Sequence, residues 1–428
     1  MNKYGVILIL MALAASFAAL ADDDDAELRE NPEFEMADTF AINAAERHYR
    51  DYSFIKAADN RIIMNGADWS AVAAALANTE EEVFSILHIG DSHVQADFAT
   101  GCVRDLFGED YISAGRGLIV PLRLAGTNQP VDYTISSKSK FVSNKLLKYP
   151  LNGGSMGFTG IALTPQTRAF DFNIKAREPY EKIRIYYSGG AMFVDRVTEV
   201  SEPLVFALQS GENYLEINLP MPCSDVSLSL HCLGSVDIYG FELVSDIVGV
   251  LYHAIGNNGA TFDNYNSING FGKAVSTLNP SLIIVSLGTN EAFGLFNREN
   301  MYRSISTFVD DVRRHNPGAT LLLVTPAECQ RRRSYRRRGS RRRRYGAYRV
   351  NDNIALARDV ILDFGRKNNI AVYDWYDVAG GSGSSEKWIA DGLLSKDRVH
   401  YTRKGYEVQG ELLYDALNNT LNALSQTR

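Results

Sequence analysis

A serine hydroxyl becomes a useful nucleophile beside a base that takes its proton and a carboxylate that orients that base. Two short segments of this chain carry the three groups: Gly90-Asp91-Ser92-His93 and Asp397-Arg398-Val399-His400. In the second, a carboxylate three residues before the imidazole can bond its Nδ1–H within one turn, which leaves Nε2 free to face Ser92. Acyl transfer also needs preorganised donors for the developing oxyanion. Asn258-Gly259 offers a backbone amide in a Gly turn, and Gly288-Thr289-Asn290 offers a side-chain amide.

The other histidines lack such partners. His88 and His253 lie inside apolar runs and read as core groups. His48 and His231 have no Asp three residues before them. His315 has Asp311 one helical turn earlier, the spacing of a solvated surface pair. His93 adjoins the nucleophile, but neighbours at a helix start point about 100° apart, so it reads as a pocket-lining residue. Asp91 reads as a tie between the nucleophile turn and nearby backbone.

The elements that must position these groups are legible as aliphatic runs. Residues 84–89, 247–255, 282–287 and 320–325 each run into a Gly-rich or polar turn, the pattern of strands buried on both faces of a parallel sheet. Helical patterns at 301–315, 353–368 and 404–424 separate or follow them. Alternating strands and helices predict an α/β fold with a doubly wound parallel sheet. In such sheets ligands bind beyond the carboxyl ends of the strands, which is where Ser92, Gly259 and Asn290 fall. Between 111 and 245 the rhythm changes to short alternating segments, at 170–174, 182–187, 214–219 and 226–230, which predict an inserted β-sandwich domain. The expected organisation is 1–21 signal peptide, 22–82 polar leader with some helix, 83–110 and 246–428 the two parts of the α/β domain, and 111–245 the insert.

The set Gly90-Asp91-Ser92-His93, Gly259, Gly288-Thr289-Asn290 and Asp397-x-x-His400 resembles, in order, the four sequence blocks of the SGNH (GDSL-like) hydrolases. The GDSH variant with a β insert after the first block is most similar to their peptidoglycan O-acetylesterase branch. The resemblance implies a flavodoxin-like sheet and a serine esterase without metal or cofactor. It implies Ser92 as nucleophile, His400 as base and Asp397 as its partner, with Ser92, Gly259 and Asn290 forming the oxyanion hole. Glu291 stands where the family commonly has Asp. The expected substrate is O-acetylated peptidoglycan or another polysaccharide. The same triad would also serve an O-acetyltransferase, and an inactive relative would be a glycan-binding protein.

Bulk properties narrow the setting. With 45% apolar and 22% charged residues, the chain has the profile of an ordinary globular protein, which excludes wholesale disorder. Lys3, an apolar run and small residues at Ala19 and Ala21 match a cleavable secretory signal, so a periplasmic or extracellular protein without stable membrane insertion is expected. The four cysteines form no C-x-x-C pair, which argues against a zinc site; a Cys223–Cys232 disulfide and buried thiols both remain open.

Residues 330–349 hold eleven arginines and no acid in a chain of net charge −7, which leaves −18 on the remainder. Such a run reads as a loop on the catalytic edge. In a secreted protein it is either a solvated loop without a partner or a site for an anionic polymer rather than nucleic acid, with Arg331, Arg332 and Arg333 as contacts. Trp388 is either a buried packing group or a sugar-stacking residue, and Tyr186, Tyr187 and Tyr239 are candidate glycan contacts on an insert that could equally be a structural lid. Oligomeric state has no signal in the sequence.

Overall fold

Residues 47–82, the described part of the expected polar leader, pack into the core of the protein. The computed structural model describes residues 47–147, 156–198, 206–207, 214–336 and 343–425, so the expected signal peptide lies outside the described residues. Strand β1 (Ile62–Ile63) and helix α1 (Ser70–Ala77) bury Ile62, Val72 and Leu76, and Trp69 is buried at the start of α1. Strand β2 (Phe84–Gly90) has no exposed residue and runs directly into helices α2 (Ser92–Gln95) and α3 (Phe98–Asp110).

The insert follows as strands β3 (Gly117–Ile119), β4 (Tyr133–Ser136), β5 (Phe141–Lys145), β6 (Ile161–Pro165), β7 (Ala169–Val197), β8 (Phe206–Ala207) and β9 (Tyr214–Val244). The four β segments read from the sequence fall within β7 and β9. These two long strands bend back on themselves. Lys182 of β7 lies opposite both Asn218 and Val244 of β9, while Leu228 and Leu230 of β9 lie between Phe170–Phe172 and Val194–Val197 of β7. Phe172 from one layer meets Phe241 from the other at 5.0 Å between ring centroids, which is the inside of a sandwich.

The insert is joined tightly to the α/β body. Leu118 N donates to His253 Nδ1 at 3.1 Å, and buried Arg116 bridges Asp132, at 2.7 Å, to Asp97 at the start of α3. Removing one member of that ion cluster would leave a buried charge uncompensated, a loss of about 3–5 kcal/mol. Leu118 and Ile119 also share one apolar cluster with Leu87 and Ile89 of β2.

The second half of the α/β body comprises β10 (Val250–Gly256), α4 (Phe262–Asn266), α5 (Phe271–Val275), β11 (Leu282–Ser286), α6 (Thr289–Phe293), α7 (Arg298–His315), β12 (Thr320–Val324), β13 (Gln330–Arg336), β14 (Arg343–Val350), α8 (Asn353–Lys367), β15 (Ala371–Tyr373), α9 (Trp375–Val378), α10 (Ser384–Ala390) and α11 (Arg403–Ser425). The main sheet has the order β10-β2-β11-β12-β15-β1, parallel except at β1. Its five parallel strands follow the flavodoxin-like order, with the switch point between β2 and β11. Phe84, Ile86, Leu282 and Ile284 pack on the side of α3 and α11; Leu87, Ile89, Ile283 and Val285 pack on the side of α7 and α8. This two-sided burial is why the strands read as unbroken aliphatic runs.

One expectation changes, and one open alternative closes. The Arg-rich segment is not a loop but a two-stranded ribbon, β13 paired antiparallel with β14. None of the four cysteines is in a disulfide. No helix among the described residues is long and apolar enough to cross a membrane.

Candidate active site

The turn after β2 is as tight as a backbone allows. A Cβ at Gly90 would lie 2.4 Å from Val94 Cγ2 and 2.8 Å from the Ser286 carbonyl oxygen, so only glycine fits. Asp91 caps α2 by accepting from His93 N at 3.0 Å, which leaves Ser92 as the first residue of the helix. Backbone amides at that position have no intrahelical acceptor and are available to a ligand.

The structure brings Ser92, His400 and Asp397 together. Ser92 Oγ lies 2.7 Å from His400 Nε2, and His400 Nδ1 lies 2.6 Å from Asp397 Oδ2. Asp397 Oδ1 accepts from Ser395 Oγ, Val399 N and His400 N, at 2.7, 2.9 and 3.0 Å. Burial opposes ionisation of this carboxyl, but the His400 ring and these donors outweigh it and hold Asp397 well below the usual carboxylate range. Arg398 adopts φ 62° to let the loop fold back over four residues. That conformation costs a non-glycine residue about 1 kcal/mol or more, and outside contacts hold it. Gln330 N donates to Arg398 O at 2.9 Å, Arg398 Nη1 donates to Gln330 Oε1 at 2.7 Å, and the guanidinium sits 4.3 Å from the centre of the Tyr348 ring.

The opposite flank gathers the amide donors. Asn290 Nδ2 donates to Asp91 Oδ2 and to Ala260 O, both at 3.0 Å, and Gly259 takes φ 78° in the turn after β10. Asn258 N donates to Gln95 Oε1 at 2.7 Å. The Gln95 amide in turn donates to Thr127 Oγ1 and to both oxygens of Asn128, in the insert. Leu147, also from the insert, stands against Gly259, its Cδ1 2.8 Å from where a Cβ would be. Sequence reasoning missed Gln95, Thr127, Asn128 and Leu147, because the contacts join residues more than 30 positions apart. Glu291 ties α6 to α4 by accepting from Phe262 N at 2.9 Å, a structural use for the residue that departs from the family pattern. Burial pushes Glu291 up to about 7 and Asp91 up to about 6.

A family model described as GDSL-like lipase/acylhydrolase matches residues 239–408. A solved peptidoglycan O-acetylesterase superposes with TM-score 0.66 at 19% identity, covering 86% of this chain and 98% of that one. Residues 239–408 thus match the GDSL-like lipase/acylhydrolase family, and the chain as a whole has the GDSL-like hydrolase fold. A lipase/acylhydrolase from Enterococcus faecalis aligns more narrowly, at 19% identity over 40% of this chain and 77% of its own, with TM-score 0.29. Comparison with curated protein sequences finds no match. The matched span begins after Ser92, and the insert separates Ser92 from it in the sequence.

Several candidates from the sequence find other places. Trp388 is 1% exposed, donates from Nε1 to Ala379 O and packs 4.8 Å from the Tyr401 ring, so it supports the His400 loop from within and cannot stack on a sugar. Tyr186 is buried with its hydroxyl on Glu242, and Tyr239 is buried too; only Tyr187 stays partly exposed. His93 lies beside the pair, its ring 5.2 Å from that of His400 and its Nδ1 3.1 Å from Tyr406 Oη. Burial, reinforced by the neighbouring His400, pushes it down to about 3, so it stays neutral. Arg331 is half-buried, Arg332 is exposed over Tyr348, and the Arg333 side chain lies outside the described residues. His88 bonds Tyr252 and Ser286 inside the sheet.

Proposed function

We propose that this protein is a secreted serine esterase of the GDSL-like type that removes O-acetyl groups from peptidoglycan or a related complex polysaccharide. The observation that carries the reading is the continuous relay Ser92–His400–Asp397, with contacts of 2.7 and 2.6 Å. In it, His400 takes the Ser92 proton as Oγ attacks the acetyl carbonyl, and the imidazolium is balanced by ionised Asp397. The tetrahedral oxyanion accepts from the amides of Ser92 and Gly259 and from Asn290 Nδ2, which shares a hydrogen now given to Asp91 or Ala260. His400 returns the proton to the departing sugar hydroxyl. Water, deprotonated by His400, then releases acetate from Ser92.

Overall likeness to a peptidoglycan O-acetylesterase supports the substrate class, and the apolar, small-residue segment at 1–21 supports secretion. The test is acetate release from O-acetylated peptidoglycan and from acetyl-xylan by the native protein and by Ser92→Ala. The native protein should release acetate, preferentially from peptidoglycan, and the variant should fall by at least about 10³-fold. No release from either polymer defeats the substrate claim. Undiminished release by Ser92→Ala defeats the mechanism.

A further inference from the structure

The ribbon formed by β13 and β14 has no part in the relay, yet it is the most charged feature of the chain. Across its ladder Arg331 faces Arg349 and Arg336 faces Arg343. Like charges directly opposite each other destabilise a ladder, and a lone two-stranded hairpin is marginal in water. The segment contains eleven arginines and no acid, so the ribbon carries no counter-charge of its own. Its base is stapled to the site: Gln330 and Tyr348 hold Arg398, and Tyr348 Oη donates to Lys396 O at 3.1 Å. Arg332 and Arg349 are exposed, with Arg332 lying over Tyr348.

We infer that this ribbon is a binding subsite for a polymer bearing repeated carboxylates, which it holds alongside Ser92. The inference rests on the esterase reading of Ser92 for the polymer's identity as substrate. Guanidinium forks match carboxylates two bonds at a time. Strands of this length extend about 20 Å, enough for several successive anionic groups rather than one small ion. Attachment to the Asp397–His400 loop places a bound chain next to the base, which favours the esterified polymer itself over nucleic acid or an anionic membrane.

Binding is tested without turnover in Ser92→Ala protein, by co-sedimentation with O-acetylated peptidoglycan sacculi before and after amidation of their carboxyl groups. Amidation and the R331Q/R332Q/R349Q substitution should each weaken binding roughly tenfold, because each exposed ion pair contributes a factor of a few. Raising salt to 0.5 M, where the Debye length is about 4 Å, should weaken it as well. The corresponding Lys substitutions should retain more binding than the Gln set, and single Arg332→Gln serves if the triple variant does not fold. Binding that survives both amidation and the Gln substitutions overturns the inference. So does a Gln set that loses only DNA or anionic-vesicle binding. Acetate release, measured separately on native protein, tells the two failures apart: binding without release sinks the esterase reading, and release with ribbon-independent binding sinks this one.

Discussion

The two flanks of Ser92 are built by opposite means. On one side, Asp397 and His400 close their hydrogen bonds within four residues, and distant residues only brace the loop from outside. On the other, Gly259 and Asn290 are placed by contacts among Gln95, Thr127, Asn128, Asn258 and Asp91, drawn from two halves of the α/β body and from the insert. The base side is therefore a local device carried by one loop. The amide side is a product of tertiary structure, and the insert is part of it.

If the base side depends chiefly on one local carboxylate, Asp397→Asn should be the most damaging change that leaves the nucleophile in place. The imidazole would lose its counter-charge and its fixed tautomer, and kcat should fall about 10³–10⁴-fold. Steady-state kinetics on a soluble acetyl ester measure this, and a loss under tenfold would mean that the loop is held mainly by its outside braces.

The amide side should fail more gently. Gln95→Ala removes the link between Asn258 and the insert without touching a donor to the oxyanion. It should displace the Gly259 amide and lower kcat roughly 10–100-fold, less than outright loss of a donor. KM should hardly move, and Asn128→Ala should act in the same direction. Equal falls in kcat for unrelated insert substitutions, or a change confined to KM, would show that the insert shapes substrate binding and not the oxyanion turn.

The same division explains what could be read in advance. The core strands were legible because burial on both faces leaves uninterrupted aliphatic runs, and Asp397-x-x-His400 because its geometry is local. Strand β15, three residues long, and β1, two residues long, are too short to give a period. The Arg ribbon read as a loop because its residues carry no strand-like alternation; its pairing is held instead by the dock of Gln330 and Tyr348 on the Lys396–Arg398 segment. Trp388 could be read as a sugar platform or as a packing group, and the sequence cannot choose because nothing in it says that Trp375, Tyr401 and Phe54 surround the ring. The 22–82 leader read as polar, although Tyr49, Ile55 and Trp69 enter the core next to α11.

A smaller effect separates the flanks by charge. Asp397 is held below its ordinary pKa, so it contributes stability that is present above the unfolded value and lost as pH falls through its folded one. Glu291 and Asp91 are shifted the other way by burial, to about 7 and about 6. Their contribution is present below the unfolded value near 4 and is lost as pH rises through the folded one. The amide flank is thus most stable when its acids are neutral, and the base flank when its acid is charged. Glu291→Gln should keep the bond from Phe262 N while removing the charge. Relative to native protein, its Tm should be unchanged near pH 4.5 and higher by about 2 °C at pH 8. Thermal unfolding across that range decides it. A difference that stays flat with pH would mean that Glu291 is already solvated, and that the amide flank, like the base flank, tolerates its charge.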